Sequence, residues 1–205
     1  MKRIVPLFVV LAVAGCGEKN PAEDVGTGGA DAGKADPAAA NSTPSANSDA
    51  AESPPEKKVD ASEAGAKALV SEFLVPGVDH AKLSAALAPT AGDYAAAFVG
   101  DAAAKAEAGY KQAWEDGKMV LKPNAGQTEL LLWKATAEEL KVWTGDAKDQ
   151  FPGGYREVAK HLKPGVTWYR FKFVEPGSTS GMAYDGLVCV NGRWTIFPKP
   201  WRVLR

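Results

Sequence analysis

The chain has 205 residues, enough for one domain with extensions, and its charges nearly cancel at 24 Lys+Arg against 25 Asp+Glu. That balance excludes a general nucleic-acid binder, which needs a basic surface to neutralise phosphates. Two cysteines, Cys16 and Cys189, cannot make a disulfide-stapled scaffold, so stability rests on an apolar core with six tryptophans to draw on.

Lys2 and Arg3 open the chain, and residues 4–15, "IVPLFVVLAVAG", follow without a charge. A spanning helix needs about 20 apolar residues. The run is too short, and Pro6 interrupts it. A basic start, a short apolar middle and small residues at its end match a secretory signal. Val13-Ala14-Gly15-Cys16 resembles the lipobox of bacterial lipoproteins, with Val13 where that family usually has Leu. The resemblance implies cleavage before Cys16, a diacylglycerol on its sulfur and an acyl chain such as palmitate on the new amine. Each buried CH₂ contributes about 0.8 kcal/mol, so two or three chains hold a protein firmly to a bilayer. Gly17, where an Asp often signals inner-membrane retention, implies the outer membrane, facing the periplasm.

Residues 17–60 contain no aromatic side chain and no Leu, Ile or Met, and carry nine acidic against four basic groups. Such a stretch cannot bury enough apolar surface to offset its ordering entropy. The expected organisation is a signal peptide over 1–15, a lipid-anchored disordered tether over 16–60, and a globular α+β domain over 61–205. As a flexible coil the tether spans about 35 Å.

The domain opens with helical patterns. Asp60 with Glu63 predicts a helix start, and Ala64, Ala68, Leu69 and Phe73 then share a face. Asp79 predicts a cap for a second helix carrying Leu83, Ala86 and Leu87. Thr90 with Asp93 predicts another, ahead of Tyr94, Ala97 and Phe98. Asp101 opens a fourth, on which Ala103, Ala106, Tyr110 and Trp114 align. "KMVLKP" (118–123) and "QTELLLWKAT" (127–136) read as strands. Thr136 with Glu139 caps a short helix, and Tyr155, Val158, Ala159 and Leu162 form the face of another.

The last forty residues read as a three-strand meander. In residues 166–174, Tyr169, Phe171 and Phe173 point one way, and Arg170 and Lys172 the other. Asn191-Gly192 predicts a two-residue hairpin turn, because both positions tolerate φ > 0. Val190 then faces Arg193, Cys189 faces Trp194 and Leu187 faces Ile196. Cys189 is expected as a buried, inert core thiol.

No metal-binding motif, P-loop or G-x-S-x-G motif is present. The two histidines, His80 and His161, do not form a ligand cluster, so no cofactor, metal site or catalytic residue is assigned. Tyr184, Asp185 and Arg170 are the polar candidates for lining a pocket. The order of elements resembles NTF2-like domains, which implies helices on a curved antiparallel sheet and a cone-shaped cavity. The C-terminal "DGLVCVNGRWTIFPKPWRVLR" is similar to the ends of uncharacterised exported lipoproteins, which implies location only. The chain thus reads as an envelope lipoprotein, held to the membrane by lipid on Cys16, whose domain binds an envelope protein or a small ligand without catalysis. The alternative is a small envelope enzyme with an NTF2-like cavity, using Asp185 or a histidine in acid–base chemistry.

Overall fold

A computed structural model describes residues 59–205. The expected signal peptide, lipobox with Cys16, and tether up to residue 58 lie outside the described residues.

Among the described residues four α-helices come first: α1 (Glu63–Ser71), α2 (His80–Ala86), α3 (Ala91–Ala97) and α4 (Asp101–Glu115). Their starts follow the capping chemistry of the sequence. The Asp79 carboxylate accepts from Lys82 N–H at 3.0 Å. Thr90 and Asp93 form a reciprocal capping box. At α1 the cap is Ser62, which accepts from Gly65 N–H, while Asp60 accepts from Ser62 N–H one step earlier. The buried face of α1 differs from the expected one. Ala66, Val70 and Phe73 are inside, while Ala64 and Ala68 are exposed. Alanines stand on every side of this helix, so its apolar stripe is weak and the phase is set by packing.

Strand β1 (Glu129–Thr136) runs directly into α5 (Ala137–Val142), capped by the Thr136–Glu139 box. Short helices α6 (Asp146–Asp149) and α7 (Gly154–Val158) follow, then β2 (Thr167–Val174), β3 (Gly181–Val190), β4 (Arg193–Ile196) and the terminal α8 (Trp201–Leu204). The four strands form one antiparallel sheet in the order β1-β2-β3-β4. "KMVLKP" is not a strand: Leu121 N–H is taken by the Ser84 hydroxyl at 2.8 Å, so this segment ties to α2 instead of a ladder.

Both faces of the sheet are covered. On one, Phe73, Leu87, Tyr169, Phe171, Phe173, Leu187 and Ile196 pack beneath α1 and α2. On the other, Tyr94, Phe98, Tyr110, Tyr155, Trp168 and Phe197 join α3, α4, α5, α7 and α8. Phe197 is the hub of this second layer, with ring centroids 5.0 Å from Phe98 and 5.2 Å from Tyr94. Burying such a ring contributes about 2 kcal/mol. The fold is therefore α+β, as expected, with helices on two sides of the sheet.

The β3–β4 register is the expected one, with Cys189 opposite Trp194 and Leu187 opposite Ile196 across an Asn191-Gly192 turn at φ 51° and 71°. Cys189 itself departs from expectation. It is half-buried rather than buried, at the border of the α1-side layer. Burial is still enough to push its thiol up.

A bulge breaks β3. Tyr169 pairs with Leu187 and Arg170 with Asp185, leaving Gly186 as an extra residue at φ +90°. Before it, Tyr184 faces the α1-side layer; after it, Leu187 and Cys189 do. Asp185 and Val188 accordingly share the opposite face. Only glycine fits at 186, because a Cβ would stand 2.1 Å from the Phe197 carbonyl oxygen, which belongs to the residue whose N–H bonds back to Gly186.

Candidate functional site

The short β4 and the bulge together make a recess. β4 pairs only with Leu187–Val190, so the first half of β3 has no strand on its outer side. The chain leaves β4 through Phe197-Pro198-Lys199 and closes over the sheet as α8. Between this return, the segment 118–121, β3 and α4 lies a cleft of about 390 Å³. Met119, Leu121, Met182 and Val203 are among its apolar walls, and Tyr110, Asp185, Lys118, Lys199 and Arg202 supply polar groups. The volume lies within the range of small-molecule clefts.

Asp185 is its innermost charged group, 5 % exposed. One carboxylate oxygen, Oδ1, accepts from the Tyr155 hydroxyl at 3.1 Å and from Lys199 N–H at 2.9 Å. Burial pushes the carboxyl above its usual range, against the opposing pull of those donors and of the Lys199 and Arg170 charges. The Tyr155 and Tyr110 hydroxyls are held well above the ordinary phenol range, by burial first and by the nearby Asp185 charge second. Tyr110 donates to the Pro198 carbonyl at 2.9 Å and so fixes the C-terminal return over α4. Lys199, at φ 53°, holds the left-handed backbone that aims its N–H at Asp185.

The sequence-derived trio of Tyr184, Asp185 and Arg170 is brought together only in part. Tyr184 and Asp185 both line the cleft. Tyr184 is fixed at its wall, its hydroxyl accepting from Lys122 N–H at 2.8 Å and donating to Lys122 O at 2.9 Å. Arg170 is the cross-strand neighbour of Asp185 but does not line the cleft. Its guanidinium makes no ion pair among the described residues, and its buried Nε has no partner. Burial presses its ionisation below the usual range, while Asp185 and Tyr155 draw it back up.

Tyr155, Lys199 and Arg202 are site residues that sequence reasoning misses. Tyr155 reads in sequence only as part of a helix face, and the two cations sit in a short tail whose return over the sheet is not a local property. The histidines lie elsewhere. His80 Nε2 pairs with the Phe73 carbonyl at 2.9 Å, and burial, then Lys160 and Lys105, lower the His161 pKa. Among the described residues no group of His, Cys, Asp and Glu is placed to hold a metal ion, and no helix is long and apolar enough to cross a membrane. Comparison of the chain with protein families, with curated proteins and with solved structures returns no match, so nothing in them ties the fold to NTF2-like domains.

Proposed function

We propose that this chain is a lipid-anchored protein of the bacterial envelope whose α+β domain binds a small ligand in the cleft around Asp185, without catalysis. The observation that carries the binding reading is the cleft itself: apolar walls, a single buried carboxylate, and exposed cations in its lining. The basis for the anchor is the sequence Val13-Ala14-Gly15-Cys16 after its short apolar run. Binding rather than turnover is favoured because Asp185 is already engaged through Oδ1 by Tyr155 and Lys199, and neither histidine nor Cys189 lines the cleft.

The enzyme reading draws on one observation, the burial that raises the Asp185 carboxyl above its usual range, the direction a general acid needs. Native mass spectrometry of the chain released gently from its host membrane tests the proposal. The expected result is an acylated Cys16 and a small molecule retained in unaltered form. An unacylated mature chain would refute the anchor, and steady conversion of the retained molecule, abolished in Asp185→Asn, would replace binding with catalysis.

A further inference from the structure

Resting on the reading of the cleft as a ligand site, the arrangement of its polar groups narrows the ligand. Asp185 Oδ1 has two donors, whereas Oδ2 of the same carboxylate has none among the described residues. Asp185 lines the cleft and is nine-tenths buried. A carboxylate offers about four acceptor positions, and Oδ2, unlike the buried and unpartnered Arg170 Nε, stays within reach of solvent. Arg170, the nearest cation across the ladder, makes no ion pair with it. An acceptor of a cleft-lining residue is thus left without a protein donor among the described residues.

The outer end has the opposite character. Lys118, Lys199 and Arg202 are all exposed. Lys118 is neutralised by Asp116. The side chains of Lys199 and Arg202 make no ion pair among the described residues. Lys199 joins the two ends, its backbone N–H bonding Asp185 Oδ1 while its side chain is exposed, and apolar walls from Met119, Leu121, Met182 and Val203 complete the lining.

We infer that the cleft takes a free aliphatic acid with a hydroxyl at its far end: the hydroxyl donates to Asp185 Oδ2, the chain lies along the methionines, and the acid group meets Lys199 and Arg202. A bilayer lipid does not fit this pattern, because its acyl chain ends in a methyl and leaves Oδ2 unpaired.

The full chain with Cys16→Ser, which removes a competing acyl group, is labelled at its methionine methyls. Met119 and Met182 report from the cleft wall. ω-Hydroxyoctanoate, octanoate and octanediol are titrated in turn. ω-Hydroxyoctanoate is expected to shift both methyl signals saturably and to bind at least tenfold tighter than either analogue. Reversing the mouth with Lys199→Glu and Arg202→Glu, both exposed, is expected to weaken it at least tenfold with the melting temperature retained. Asp185→Asn, which puts a donor in place of Oδ2, is expected to erase the preference over octanoate. Octanoate binding as tightly would overturn the inner contact, and octanediol binding as tightly the outer one, with the ligand-site reading intact in both cases because the methyl signals still move. Methyl signals unmoved by all three and by a small-molecule extract of the host envelope would overturn both.

Discussion

Arg193, in the hairpin that closes the sheet, donates to the carboxylate of Asp93 at the start of α3, 100 residues away. The Asp93 side chain is fully buried. It also accepts from Thr90 N–H at 2.8 Å, from the Thr90 hydroxyl at 2.9 Å and from Asn191 Nδ2 at 3.1 Å. One carboxylate therefore caps a helix and anchors the turn that sets the β3–β4 register.

Removing the cation strands this charge. Arg193→Ala should destabilise the domain by about 2–3 kcal/mol, the lower end for a buried pair because Arg193 is partly exposed. Urea unfolding measures it. Burial pushes the Asp93 carboxyl up, but the hydrogen bonds from Thr90, Asn191 and Arg193 outweigh it and hold the group below its usual range. Its stabilisation is present above the unfolded carboxyl value, roughly 3.9, and is lost as pH falls through the lower folded value. Acid unfolding of Asp93→Asn should lack that component.

Asp185 carries the reverse sign. Its folded pKa is raised, so the native state holds the extra proton in the window just above the unfolded value, and stability declines as pH rises through it. Asp185→Asn keeps an acceptor for Tyr155 and Lys199 N–H, so it should change stability by less than about 1 kcal/mol and remove that slope. Asp185→Ala leaves both donors unpaired and should cost about 2 kcal/mol. Unfolding free energies at pH values spanning the window check both; equal effects of Asn and Ala would contradict the role of Asp185 as acceptor for these two donors.

Gly186→Ala places a methyl against the Phe197 carbonyl oxygen at a backbone angle that L-residues rarely adopt. A loss of roughly 3 kcal/mol or more is expected. Thermal melting reads it, and a melting temperature within a degree or so of the parent would refute the bulge.

Cys189 should react with a thiol reagent, but more slowly than in the urea-unfolded chain, because burial shields it and pushes its thiol pKa up. Labelling kinetics with quantitative mass spectrometry give the ratio.

The elements most legible in the sequence are those whose signals are local. Thr90 with Asp93, Thr136 with Glu139, and Asn191-Gly192 each act within four residues, and each stands where capping and turn chemistry put it. The alternation through Tyr169, Phe171 and Phe173 is equally self-contained. Alanine-rich α1 offers too little polarity contrast to fix its phase. "KMVLKP" has strand composition, yet its backbone is taken by Ser84 and Tyr184. The cleft is the least legible part. Asp185 and Tyr184 can be picked out, but the donors to Asp185 come from residues 155 and 199, joined only by tertiary packing. The one clue in the sequence is an isolated glycine inside a strand pattern, which marks a bulge or a close backbone approach.

That glycine makes the chain odd in count at one point of the sheet. Delete it, and the parity of the strand's leading half inverts: Asp185 turns toward Phe171 and Phe173, while Tyr184 is expelled to the far side. The recess and the two hydrophobic layers are thus not separable traits on which mutation could act one at a time. They are alternate readings of a single frame, and it is the frame, rather than its own neighbours, that has turned Asp185 to face the recess.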